Sequence, residues 1–163
     1  MADIVRLEVS VSTQHLTGYT ASNQQAYDVE IASAKNGVGQ MMGSECTPLG
    51  SHRIRAKIGA NAAENTVFVG RRPTGEIFNP ALEQLYPKRD WILTRILWLC
   101  GNEPGINRGG KVDTQRRYIY IHGAPDSHAM GVPSSHGCIK MRNRDVIELY
   151  QRVSQGTEIL IKE

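Results

Sequence analysis

Residues 121–138 read Ile121-His122-Gly123-Ala124-Pro125-Asp126-Ser127-His128-Ala129-Met130-Gly131-Val132-Pro133-Ser134-Ser135-His136-Gly137-Cys138. This stretch carries three of the five histidines and one of the three cysteines, in a setting rich in Gly, Pro and Ser. A short apolar run, Tyr118-Ile119-Tyr120-Ile121, leads in and a second, beginning at Ile139, leads out. A polar loop pinned at both ends by apolar segments is where a scaffold displays reactive groups.

The flanks of that loop predict a mostly-β architecture. Val5, Leu7, Val9 and Val11 alternate with polar neighbours, the period of a half-buried strand. Leu16–Tyr19, Tyr27–Ile31, Arg53–Ile58 and Thr66–Val69 read the same way, separated by turn material such as Ser22-Asn23-Gln24-Gln25. Strands joined by short turns imply an antiparallel sheet or sandwich. Past Pro73 the pattern changes: Pro80–Tyr86 and Asp90–Leu99 predict two helices, with Pro80 at a first helical position and Asp90 as an N-cap. Residues 101–110 read as a surface loop, so the segment around 71–117 is expected to be a cap-like helical insertion. After the reactive loop, Val146, Ile147, Leu149, Tyr150 and Val153 share one helical face, Asn143 is the candidate cap, Gly156 the stop, and Thr157–Ile161 a closing strand.

The chain of 163 residues fits one domain, 1–163. A formal charge of +3 with scattered Lys and Arg, and no basic stripe interleaved with aromatics, speaks against nucleic-acid binding. No run approaches a membrane span, so no membrane partner is expected. The residues Met1 to Gln14 lack the pattern of a secretory signal. If Met1 is the natural start, the expected place is the cytoplasm; a leader removed upstream would make it the periplasm or cell envelope. Three cysteines, Cys46, Cys100 and Cys138, form no CxxC pair and suit a reducing compartment. Cys46 and Cys100 read as structural.

Two chemistries and an inert alternative fit the reactive loop. A nucleophilic cysteine needs a base and a group that orients the base. His122, at the end of a strand, is a candidate base for Cys138, 16 positions later. Backbone N–H groups of Gly137 and Cys138 would face an acyl oxyanion if a tight turn begins there. A metal site drawn from His122, His128, His136 and Cys138 is the rival, although H-x5-H-x7-H-x-C matches no common zinc spacing. Packed histidines around an unreactive thiol complete the set.

At these residues the chain resembles the L,D-transpeptidase catalytic domain family, the YkuD type. That family's signature is a strand ending in His-Gly, a variable loop, then Ser-His-Gly-Cys-Ile-Arg-Met. Here the matching stretches are Ile121-His122-Gly123 and Ser135-His136-Gly137-Cys138-Ile139-Lys140-Met141. Thr47-Pro48-Leu49-Gly50 resembles the family's TPxG turn, and 145–161 its closing helix and strand. The resemblance implies a β-sandwich-like fold and a covalent cysteine mechanism without cofactor or metal. It makes Cys138 the nucleophile, His122 the base, the Gly123 carbonyl the group that fixes the His122 tautomer, and Gly137 and Cys138 the oxyanion hole. Ser135, His136, Lys140 and Tyr120 would position the loop and contact substrate. Lys140 stands where the family has Arg, which keeps charge but loses the planar fork. His128 has no family role and reads as a solvated loop residue.

The implied substrates are peptidoglycan stem peptides or muropeptides, cut between the L-centre of a diamino acid and a terminal D-alanine. Water as the acceptor makes an L,D-carboxypeptidase of cell-wall recycling, which the missing export signal favours. An amine acceptor makes a cross-linking L,D-transpeptidase, and a non-catalytic muropeptide-binding domain is the remote alternative. Carbapenems are expected to acylate Cys138.

Overall fold

A computed structural model describes residues 2–163. Ten strands form one continuous sheet: β1 (Ile4–Ser10), β2 (His15–Thr20), β3 (Gln25–Glu30), β4 (Gly50–Ile58), β5 (Thr66–Val69), β6 (Arg72–Ile77), β7 (Ile92–Gly101), β8 (Tyr120–Ala124), β9 (Ile139–Arg142) and β10 (Glu158–Lys162). Two helices accompany them, α1 (Pro80–Leu85) and α2 (Asn143–Arg152). The main path runs β3-β2-β1-β10-β4-β7-β5-β6, and β8 and β9 branch from β7. Pairing is antiparallel except for β1 with β10 and β8 with β9. The sheet curls, so that Leu7, Val9 and Leu16 from one wing and Leu97, Ile121 and Ile139 from the other share one core. The sandwich-like, mostly-β architecture expected from the sequence is thus reached by one sheet folding over itself.

That core is closed by α2, whose Val146, Leu149 and Val153 face inward. Burying each such side chain contributes about 1.5–3 kcal/mol. The helix is shorter than expected: it ends at Arg152, and the Val153 N–H bonds back to the Leu149 carbonyl. Gly156, at φ +93°, belongs to the turn that follows, its N–H bonding the Ile54 carbonyl. In β1 a bulge between Ile4 and Arg6 shifts the alternation, leaving Val5 exposed while Leu7 and Val9 are buried.

The helix expected over Asp90–Leu99 is instead strand β7, the central strand that pairs with β4 and then β5 along one edge and with β8 along the other. Both of its faces are covered, so its apolar residues run on without alternating, and periodicity cannot distinguish that from a buried helix. Leu93, Ile96, Leu97 and Leu99 are all fully buried. Cys100 is buried as anticipated, but in this strand. The helical part of the 71–117 segment is therefore α1 and a single 3-10 turn at Gly110–Val112; in α1, Asn79 Oδ1 accepts from Leu82 N–H at 2.9 Å and Pro80 starts the first turn as expected.

Candidate active site

Cys138 and His122 come to line one cavity because β8 and β9 are parallel neighbours. The register sets Ile121 beside Ile139 and His122 beside Lys140, so Cys138, one residue ahead of β9, arrives next to Tyr120 at the same sheet edge. Tyr120 N–H donates to Cys138 Sγ at 3.2 Å, and the thiol in turn points to the Tyr118 carbonyl at 3.4 Å. Both reactive side chains line one cavity of about 500 Å³, walled also by Arg71, Asp90, Arg117, Tyr118, Ser135 and His136.

His122 is buried, and its Nδ1 lies 2.6 Å from the Gly123 carbonyl. A carbonyl only accepts, so Nδ1 carries the hydrogen and Nε2 keeps its lone pair. Residue 123 has to be glycine: a Cβ there would stand 2.3 Å from Asn143 Oδ1 and 2.7 Å from the Leu93 carbonyl. Asn143, expected as a helix cap, is instead a buried strut. It accepts from Thr94 Oγ1 at 2.6 Å and donates to Asn65 and Asp126, while Arg142 holds the cap position. Thr94 sits at φ +76° within the β7 bulge, a strained geometry for a β-branched residue, held by its bonds to Asn143 and to Asn65 N–H.

The cysteine loop is fixed from below by Thr47. Its hydroxyl accepts from Ala34 N–H at 2.9 Å and donates to the Gly137 carbonyl at 3.0 Å. Gly137 has φ +130°, and a Cβ would reach 3.1 Å from Ile119 Cδ1. Its N–H, expected to face an oxyanion, donates in this structure to Ser135 Oγ at 3.2 Å, and Ser135 Oγ itself donates to the Cys138 carbonyl. Ser135 therefore bridges Gly137 and Cys138 within the turn.

Burial pushes the Cys138 thiol up to about 12; Asp90 adds to the rise, while Tyr120 N–H and Arg117 oppose it. Cys138 is only half-buried, so water entering the cavity tempers the effect. Burial also lowers the His122 imidazole below its ordinary value, against Asp90 and the Gly123 carbonyl. Both directions favour a neutral thiol beside a neutral imidazole. Such a pair transfers the proton during attack.

Lys140 is buried and is not part of the cavity wall; its ammonium donates to His128 Nδ1 at 3.2 Å. The parallel register explains this, since it sets Lys140 against His122 inside the sheet. His128 is not a free loop residue either: its Nε2 reaches Glu83 of α1 at 3.2 Å. His136 is exposed, 3.8 Å from Asp90. Among the described residues, no group of three or more His, Cys, Asp or Glu side chains is arranged to hold a metal ion. Four contributors escaped sequence reading. Asp90 reads in the sequence as a helix cap, and Arg71 and Arg117 belong to the basic pairs Arg71-Arg72 and Arg116-Arg117, which could touch an anionic ligand but read more readily as solvated surface. Thr47 lay in the quoted turn, which did not reveal its bond to Gly137.

A strand ending in His-Gly, laid parallel to a strand preceded by Gly-Cys on a curled sheet, places a cysteine and a histidine in one cavity. The model of the L,D-transpeptidase catalytic domain, YkuD, matches residues 4–161, and the chain belongs to that family. It is 41% identical over 46 residues to the YkuD protein of Bacillus licheniformis, covering 28% of each chain, and 38% identical over 50 residues to YqjB of Bacillus subtilis, covering 31% of this chain and 28% of that one; both are named as L,D-transpeptidases. The aligned stretches thus span less than a third of those relatives. Among solved structures, L,D-transpeptidase 3 of Mycobacterium tuberculosis with a faropenem-derived adduct superposes with a TM-score of 0.59 at 16% identity, covering 98% of this chain and 60% of that one. An Enterococcus faecium L,D-transpeptidase gives 0.57 at 16% identity, covering 98% and 50%. These likenesses show the shared fold.

Proposed function

We propose that the protein is a cysteine acyl-enzyme that opens the bond between the L-centre of a diamino acid and a terminal D-alanine in peptidoglycan stem peptides. The observation that carries this reading is the His122 ring, its Nδ1 committed to Gly123 and its basic Nε2 free to serve the Cys138 thiol in a shared cavity. As Sγ attacks the carbonyl carbon, Nε2 takes the thiol proton. It then gives that proton to the amide nitrogen as the C–N bond breaks, releasing D-alanine and leaving a thioester. The Cys138 N–H supports the oxyanion, and Gly137 joins if its bond to Ser135 is exchanged.

Water then attacks the thioester with Nε2 again as base, which makes the protein an L,D-carboxypeptidase of muropeptides. Water needs no binding site of its own beyond the open cavity. That role fits recycling in the cytoplasm, a location that cell fractionation tests. One feature supports the second reading, an L,D-transpeptidase. A neighbouring cavity of about 350 Å³ shares Arg117, Tyr118, Ile119 and His136 with the first and has room for an amine acceptor.

Purified protein incubated with a disaccharide-tetrapeptide should release D-alanine, and Cys138→Ala should abolish release. Retained turnover in that variant would sink the mechanism. Adding an amine acceptor and weighing the products separates water from amine: a dominant cross-linked dimer would overturn the hydrolytic reading. The solved relative with an adduct derived from faropenem, a penem, supports the expectation that β-lactams of the related carbapenem class acylate Cys138, seen as a mass increment on the intact chain that is absent in Cys138→Ala.

A further inference from the structure

Gly70 and Arg71 form the two-residue turn between β5 and β6, with φ of +57° and +64° and with Val69 paired to Arg72 across it. This is the left-handed geometry that tight hairpins require, and arginine is an unusual residue to hold it. The turn delivers the guanidinium to the cavity that contains Cys138. There it lies over the Trp98 ring at 4.6 Å and the Tyr118 ring at 4.9 Å, and its Nη1 donates to Tyr120 Oη at 3.0 Å. Aromatic faces and one hydroxyl hold it in place, yet among the described residues no carboxylate lies within ion-pair distance of it. Most of the five guanidinium donors are left for a ligand, already oriented for the two oxygens of a carboxylate.

The nucleophile is next to it: the same Tyr120 that bonds Arg71 through its hydroxyl bonds Cys138 Sγ through its N–H. Arg117, the other arginine of the wall, already donates to the Gly39, Gln40 and Cys46 carbonyls and to Ser44 Oγ, which leaves Arg71 as the arginine with donors to spare. Asp90, near His136, raises the affinity of His122 and Cys138 for protons and so repels an anion from that end. An anionic group entering this cavity is directed away from Asp90 and onto Arg71.

We infer that Arg71 is the anchor for the free α-carboxylate of the residue that leaves, which makes the site specific for a chain terminus. This rests on the proposed function above. In a terminal D-amino acid the carboxylate carbon is two bonds from the scissile nitrogen, so a group that holds it also places the carbonyl to be attacked. Arg71 is thus a specificity residue, taking no proton itself.

The test pairs turnover with binding. Wild-type protein, Arg71→Gln and Arg71→Lys are assayed on a stem tetrapeptide with a free carboxyl terminus and on its carboxamide. Each is also titrated by NMR with N-acetyl-D-alanine and N-acetyl-D-alanine methylamide, which need no chemistry. The expected wild-type preference for the acid is about 30-fold in kcat/KM, the worth of a charge-assisted pair. In Arg71→Gln that ratio should collapse towards unity, through loss on the acid and not on the amide. Arg71→Lys should recover part of it, since it restores charge without the fork. Acid binding that depends on Arg71 in a protein without turnover would preserve the anchor and refute the peptidase reading. Turnover with equal rates on acid and amide, or an acid preference that survives Arg71→Gln, would overturn the anchor and leave the peptidase reading standing.

Discussion

At Cys138 the protein protects a thiol from premature ionisation. On the proposed mechanism, the raised thiol and the lowered imidazole make attack depend on proton transfer to His122 within the substrate complex. Alkylation of the free enzyme by iodoacetamide should therefore be slow at pH 7 and keep rising past about pH 10, beyond where an ordinary thiol near about 8.5 has levelled off. A plateau already reached by pH 7 would show a preformed thiolate instead. Gly123 tests the other partner. Because Asn143 Oδ1 and the Leu93 carbonyl stand where a Cβ would go, Gly123→Ala should lower stability by about 3 kcal/mol or more and release the His122 ring. Urea unfolding and the acylation rate would both register it. His122, Gly123 and Cys138 were legible as residues because their chemistry is peculiar to their types. Arg71 and Asp90 were not, since a charged residue in a turn looks the same whether it faces solvent or a cavity.

Among the elements, β7 and the turn at 47–50 carry the most instruction about the site. The β7 bulge presents Thr94 to Asn143, and so the central strand braces the glycine beneath the imidazole. The turn acts through one hydroxyl. Thr47→Val removes the bonds to Ala34 N–H and Gly137 carbonyl while keeping the side-chain shape. Leaving those buried groups unpaired should cost about 1–3 kcal/mol and slow acylation more than it weakens substrate binding. Equal effects on kcat and KM would argue that the Gly137 geometry is set elsewhere. Alternating strands such as β1 and the amphipathic α2 were readable from periodicity. The central strand was not, because burial on both faces erases the period that identifies a strand.

For the molecule as a whole, acid sensitivity follows from histidines held neutral in the fold. His52 in β4 is fully buried, its Nδ1 2.9 Å from the Gly50 carbonyl and its Nε2 2.9 Å from Thr114 Oγ1, and burial lowers it to about 4. His122 is shifted in the same direction. Both folded values lie below the unfolded value near about 6.5, so the unfolded chain binds more protons under acid conditions. Stability should be at its full value above pH 6.5 and fall as the pH drops towards 4, His52 alone contributing a loss of about 3 kcal/mol by then. Urea midpoints at pH 7.5 and 4.5 check the fall, and a flat profile would refute it.

The sequence by itself determined the family and the mostly-β class and singled out His122 and Cys138 as the candidate pair, because motif chemistry and strand alternation are local properties of the chain. Only the tertiary structure decided that 92–101 is a central strand, that Lys140 bonds His128, and that Arg71, Asp90 and Arg117 line the cavity of Cys138. Those outcomes depend on which distant segments become neighbours when the sheet curls, and no local pattern in the chain records it.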